Sequence, residues 1–281
     1  SNTSKIEEVT VNGDHEVTIK LTEPYAAFKT IVTQHNLSIL SEKAVTEAGD
    51  SYGDVDNLLG SGPFKVTEWV PNDHYTLVRN DNYWGEMPIA TSITCRVIPE
   101  GSARTIALEA GEIDVVWSVD PTDCANVESN PDVKLLSQPS TGIDYVGMNT
   151  QKEKFSDKRV RQAINYALDK QTFVDTIIEG RGLVANSYIN AAIPGWTDEV
   201  EAYPYDPAKA KELLAEAGYP NGFECKIYVN GDVRTRSAQI IQAQLAEVGI
   251  TVDISTYEWG ALLDSLNAGK HEMFLLGWSN S

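Results

Sequence analysis

Residues 157–249 repeat the apolar and polar spacing of an amphipathic helix. In DKRVRQAINYALDK, Val160, Ala163, Ile164, Ala167 and Leu168 recur at helical spacing. Arg159, Arg161, Gln162 and Asp169 fill the other positions. This is one apolar stripe on a charged helix. In YDPAKAKELLAEAGYPNGF, Asp206 has the chemistry of an N-cap and Pro207 that of a first helical residue. Ala210, Leu213, Leu214 and Ala217 make the stripe. LLAEAG before Tyr219 and QLAEVG before Ile250 read as two copies of one helix-to-strand junction. Gly218 and Gly249 supply the left-handed residue, and a strand follows each.

Period-two alternation over residues 5–11 and 16–21, around Asn12-Gly13-Asp14, predicts a hairpin. Further strands are expected over 64–69, 75–79, 93–98, 113–117 and 133–136, with Pro71-Asn72-Asp73 as a turn. Helices are expected over 41–48, 102–110 and 121–128. At residues 138–142 the texture becomes that of a connector. Beyond it, a strand over 145–149 leads into helices over 157–169, 170–179, 207–217, 235–248 and 258–268. These alternate with strands over 224–229, 251–255 and 272–276. Such alternation predicts an α/β fold with a mostly parallel sheet and right-handed crossovers. Residues 181–205 form a polar and aromatic loop too long for a plain connector. We read two lobes, residues 1–141 and 142–281.

Composition narrows the function classes. Of 281 residues, 42% are hydrophobic, enough for a sizeable core. No apolar run approaches the ~18 residues of a membrane span. With 22 basic against 41 acidic residues the net charge is −19, which supports solubility and argues against nucleic acid. Arg234 and Arg236 read as a solvated helix start. Cys95, Cys124 and Cys225 lack a CxxC pattern and read as small buried hydrophobes. The histidines are isolated, so no metal site is expected, and no cofactor. Gly60-Ser61-Gly62 reads as a tight turn: no lysine follows it, as a phosphate loop needs, and Pro63 removes a donor.

Six stretches in order carry a family resemblance: GSGPFKVTEWV from Gly60, RNDNYWGEMP from Arg79, ALEAGEIDVVW from Ala107, VGMNT before the Val-Arg-Gln-Ala helix, YEWG at Tyr257, and Gly277-Trp278. Singly each is unspecific. In this order and spacing the chain resembles the extracytoplasmic solute-binding proteins of family five, which deliver peptides, nickel chelates, haem or glutathione to ABC importers. The resemblance implies a type 2 periplasmic-binding-protein-like fold: two lobes with mixed β-sheets flanked by helices, incomplete here. Members are far longer, and the apolar strand of Met273 to Leu276 lies close to the last residue. The chain is therefore expected to be a fragment with part of the first lobe and most of the second. The resemblance also implies a peptide or small-molecule ligand, ABC permease partners, a monomer, and a place in the periplasm or, lipid-anchored, on the cell surface.

By the same resemblance Trp259 and Trp278 line the cleft on the second lobe, Trp117 and Ser118 follow the GEID stretch at the edge of the first, and Tyr145 lies at the crossover. Aromatic rings make slabs for ligand side chains. Asp144 is the carboxylate near the crossover that could face a ligand; a turn hydrogen bond is its plainer role. Trp69, Trp84 and Trp196 read as structural. Peptide-binding relatives carry an acid just after the Gly-Trp, where this chain has Ser279, Asn280 and Ser281. Some carry arginines where Leu266, Leu275 and Tyr228 stand here. An enzyme is not expected, since no GxSxG, HExxH or Cys/His pairing occurs. The alternatives are a hydrolase using carboxylates such as Glu109 with Glu112 or Asp114, or an adhesion or chaperone-like surface protein on the same fold.

Overall fold

A computed structural model describes residues 3–193 and 195–279. The chain forms two compact units, Ser1–Ile98 and Pro99–Ser281.

In the first unit β1 (Ile6–Gly13) and β2 (Glu16–Leu21) make the expected hairpin, with Val11 opposite Val17. Two short helices follow, α1 (Phe28–Ile31) and α2 (Glu42–Ala48), the second capped by the Ser41 hydroxyl. Strands β3 (Phe64–Val70), β4 (His74–Arg79) and β5 (Ser92–Arg96) form an antiparallel sheet in that order. Asn80 is buried. Its Nδ2 donates to the Gly62 carbonyl at 3.0 Å and its backbone N–H to that of Pro63 at 2.8 Å, which pins the glycine–proline turn. Among the described residues no apolar side chain of this unit is buried. Trp69 and Trp84, read as structural, are exposed.

The second unit opens with α3 (Gly101–Glu109) and α4 (Cys124–Ser129). Then come β6 (Gly142–Met148), α5 (Glu153–Ser156), α6 (Lys158–Ala167), α7 (Lys170–Thr176) and α8 (Pro207–Glu216). It closes with β7 (Glu224–Val229), α9 (Asp232–Ala246), β8 (Thr251–Thr256), α10 (Trp259–Asn267) and β9 (Met273–Ser279). The sheet order is β6-β9-β7-β8. β7 pairs parallel with β8 and β9, while β6 is antiparallel to β9. Cys225, Ile227, Val229, Val252, Met273 and Leu275 share a core with Val160, Ile164, Leu214, Ile241 and Leu245 of the helices. This is the stripe the spacing predicts, delivered to one sheet face.

Caps set the helix starts. Asp157, Asp169 and Asp206 each accept backbone N–H groups of the following turn. The two glycine junctions have the same geometry. Gly218 and Gly249 take φ of 92° and 88°. The next residue's N–H reaches back to Leu214 at 2.8 Å and to Leu245 at 3.0 Å.

Two expected strands are absent. Residues 113–117 and 133–136 run without ladder partners among the described residues, and a lone extended segment keeps no sheet hydrogen bonds. Val115, in the first of these segments, is exposed. Helix α9 starts at Asp232, earlier than residue 235, because Gly231 at φ 78° turns the chain there.

Candidate functional site

Because β7, β8 and β9 are parallel, Val229, Thr256 and Ser279 end along one edge of the sheet, and β6 begins at that edge with Gly142. Asn230 Nδ2 donates to the Tyr257 carbonyl at 2.9 Å, and the Tyr257 N–H to that of Val229 at 3.0 Å. These bonds tie together the loops from which α9 and α10 start. Helix α9 packs on the core face. Right-handed crossover sends α10, which returns past β7, to the other face. Adjacent strands whose crossovers leave to opposite faces open a crevice beyond their carboxyl ends, the usual binding place of an open α/β sheet.

Asp144 stands at this edge on β6, opposite Gly277. Its Oδ1 is 3.6 Å from Arg234 Nη2 in the first turn of α9. A Cβ on Gly277 would lie 2.7 Å from Asp144 Oδ1 and 3.1 Å from Arg234 Nη2, so the glycine leaves room for the pair. The Arg234 Nε is buried without a hydrogen-bond partner. The Asp144 side chain is 72% exposed. An exposed pair at this distance is weak, and the guanidinium keeps donors to offer.

Arg236, two residues on, is half-buried and donates from Nη2 to both Asp120 oxygens, at 3.0 and 3.1 Å. Asp120 also accepts from the Thr122 backbone at 3.0 Å and hydroxyl at 2.7 Å. Burial alone would raise the Asp120 carboxyl; the Thr122 and Arg236 hydrogen bonds bring it below the usual carboxylate range. The solvated helix start expected for these arginines is therefore corrected: both face carboxylates. A signal for this lay in the sequence. Cations near a helix start oppose the helix dipole, so two of them close to the start of α9 call for acidic partners.

Trp278 lies opposite Ile143, and Tyr145 opposite Leu276, so both rings are on the sheet face away from the core. Tyr145 meets Phe274 edge to face at 5.9 Å, and Tyr228 meets Tyr257 at 4.8 Å. Trp259 is the first residue of α10, and it and Trp278 are 49% and 63% exposed. Neither tryptophan is core packing. The fold thus brings Asp144, Tyr145, Trp259 and Trp278 to one edge, with Tyr145 and Asp144 on opposite faces. Trp117 is 90% exposed on an irregular segment. Ser118 has φ 67°, and its carbonyl accepts from Arg104 Nη2 at 3.0 Å. Asp120, just beyond, ties this segment to α9 through Arg236.

Leu275 is buried in the core and turned from the edge, while Tyr228 is half-buried. Of the stretch after Gly277-Trp278, Ser279 ends β9, and Asn280 and Ser281 lie outside the described residues. Among the described residues no three His, Cys, Asp or Glu side chains gather to hold a metal ion. Cys124 and Cys225 are buried, as expected of small hydrophobes, while Cys95 is only partly buried; burial pushes the Cys225 thiol up to about 12. No described helix is long and apolar enough to cross a membrane.

Comparison with known proteins gives this edge its context. The chain is 32% identical over 276 residues to heme-binding protein A of Haemophilus influenzae, covering 95% of this chain and 50% of that protein. It is 32% identical over 284 residues to the dipeptide-binding protein of Escherichia coli, covering 98% and 53%. The ABC transporter-associated periplasmic binding protein DppA of Helicobacter pylori, solved with the peptide STSA, superposes with a TM-score of 0.93 at 32% identity, over 99% of this chain and 55% of that one. The chain spans about half the length of the curated relatives it matches. The family model of the bacterial extracellular solute-binding proteins, family 5 Middle, matches residues 1–281. This chain, with its crevice at the carboxyl edge of a mixed sheet, belongs to the bacterial extracellular solute-binding proteins of family 5.

Proposed function

We propose that this chain is part of the substrate-binding component of an ABC-type importer for peptides or a related small solute. The observation that carries the reading is the carboxyl-edge constellation: Asp144 and Arg234 loosely paired, and Trp259 and Trp278 exposed at the same edge, Trp278 on the opposite sheet face. A charged pair with unmet donors and exposed aromatic slabs along one carboxyl edge suit a small solute with polar ends and an apolar body. Relatives named for dipeptide, haem and glutathione binding support the class of function. None of those names describes an enzyme, and nothing at the edge favours a hydrolase. We further propose Trp117, Ser118 and Tyr145 as contributors to the solute surface, residues 1–141 and 142–281 as the two lobes, and a monomer working outside the cytoplasm with membrane permease subunits. In the whole protein, a solute with greater affinity for one of two conformations shifts their populations, and no covalent step is required.

The test is a tryptophan-fluorescence titration of the longer protein with dipeptides, oligopeptides, glutathione and haem. One of these should give a saturable change, recovered chemically intact. Asp144→Asn and Arg234→Gln should each weaken it about tenfold or more, the scale of one charge-assisted hydrogen bond. Affinities unmoved by both substitutions, or a solute returned as a reaction product, would overturn the reading.

A further inference from the structure

A cavity of about 310 Å³ opens on the second unit, lined by Met148, Lys158, Arg161, Gln162, Asn165 and Tyr203. It shares no residue with the carboxyl-edge constellation. Lys158, Arg161, Gln162 and Asn165 stand at i, i+3, i+4 and i+7 along α6, so they form one helix face. It is the face left over when Val160, Ala163, Ile164 and Ala167 enter the core.

The charge on this face is unbalanced. Arg161 Nη1 donates to the carbonyls of Phe155 at 2.7 Å and Ser156 at 2.9 Å, which fixes the guanidinium while leaving its other donors unspent. Beside it Lys170 Nζ donates to the carbonyls of Asn165 at 2.9 Å and Tyr203 at 3.2 Å. Among the described residues none of Lys158, Arg161 and Lys170 is paired with a carboxylate. Other cations of the unit do meet acids: Lys154 with Glu272 at 3.0 Å, Arg159 with Asp157 at 2.6 Å, Arg181 with Glu128 at 2.8 Å. Lys158 and Arg161 thus line the cavity with no carboxylate in its wall, in a chain with 41 acidic and 22 basic residues. Burial lowers the Lys170 pKa, and the nearby Asp169 carboxylate opposes that shift.

We propose that this cavity is a binding site for an oxyanion of carboxylate or phosphate type. Arg161 supplies a fixed planar fork for two oxygens and Lys158 a mobile second charge. Gln162, which donates to the Tyr203 hydroxyl at 3.4 Å, forms the polar wall. Met148 and the Tyr203 ring give an apolar wall for an organic body behind the anion. A volume of about 310 Å³ is at the lower end for a small-molecule site, and larger than bare phosphate needs. The net charge of −19 repels anions at long range, but that field is screened beyond ~10 Å, so the two lining cations, Lys158 and Arg161, decide the local affinity.

The site is independent of the solute-binding reading, and its test uses the 281-residue chain directly. Inorganic phosphate and phenyl phosphate are titrated by calorimetry at constant ionic strength, with chloride as balance. The expected result is one saturable site, tighter for phenyl phosphate. Lys158→Gln, an exposed change, and Arg161→Lys, which keeps the charge but loses the fork, should each weaken it about tenfold or more with the circular dichroism unchanged. Trp278→Leu should leave it unaltered. No saturable heat with either probe would overturn the proposal. So would an affinity that Lys158→Gln leaves intact, or one that Trp278→Leu abolishes.

Discussion

At the residue scale, Asp157 shows how one side chain couples a local start signal to solution conditions. Its Oδ1 accepts the Arg159 backbone N–H at 2.8 Å, and its Oδ2 accepts from Arg159 Nη2 at 2.6 Å. The side-chain hydrogen bond from Arg159 is the largest cause, and the backbone one the next, of a pKa lowered from 3.8 to about 2. The folded value lies below the unfolded one. The stability it contributes is therefore present above pH 3.8 and lost as pH falls through about 2. The group is partly open to solvent, so the effect is screened and modest. Asp157→Asn removes the titration and keeps a capping oxygen. Urea melts between pH 4 and 2 should show a shallower loss of stability in this variant than in the parent; parallel losses would show that the carboxylate does not couple folding to pH there.

At the element scale, the two glycine junctions meet in space. Gly222 follows the first and has φ 74°. A Cβ added to it would lie 1.9 Å from the Gly249 carbonyl oxygen at the second. No rotamer relieves a clash between a Cβ and a backbone oxygen. Gly222→Ala therefore incurs both the left-handed penalty and overpacking, together about 2–4 kcal/mol. Denaturant unfolding should register that loss, while Gly13→Ala, where a Cβ meets nothing within 4 Å and φ is not positive, should register little. A neutral Gly222→Ala would mean that the junctions separate readily.

The duplicated junction was legible because glycine, cap and stripe are local signals, and the same holds for α6, α8 and the strands of the second unit. Their meeting at Gly222 was not legible, because it depends on parallel pairing of β7 with β8. The site was legible by halves for the same reason. Trp259 and Trp278 stand out as residue types in a motif. Arg234 reaches Asp144 only once α9 is laid beside the first strand of the sheet. Residues 113–117 misled because an apolar run fixes hydrophobicity but not a ladder partner.

At the scale of the whole molecule, the two units differ in what holds them. The second buries a continuous core of Phe155, Ile164, Leu214, Ile227, Ile241, Leu245 and Met273 between sheet and helices. The first has its hairpin and three-stranded sheet but, among the described residues, no buried apolar side chain; Val11, Trp69 and Trp84 are exposed. Backbone ladders and surface ion pairs such as Lys20–Glu7 at 2.9 Å remain to it. Exposed pairs of that kind contribute at most about 1 kcal/mol each. Apolar burial is the dominant favourable term in folding, so the cost of opening should differ between the units. In hydrogen exchange of the 281-residue chain, amides of β7 and β8 should be protected at least about a hundredfold more than those of β1 and β2. Equal protection would mean that the first unit draws stability from burial that its own side chains do not provide. The chain spans about half the length of its curated relatives, and in a protein of their length protection in β1 and β2 should exceed that in the 281-residue chain by more than protection in β7 does.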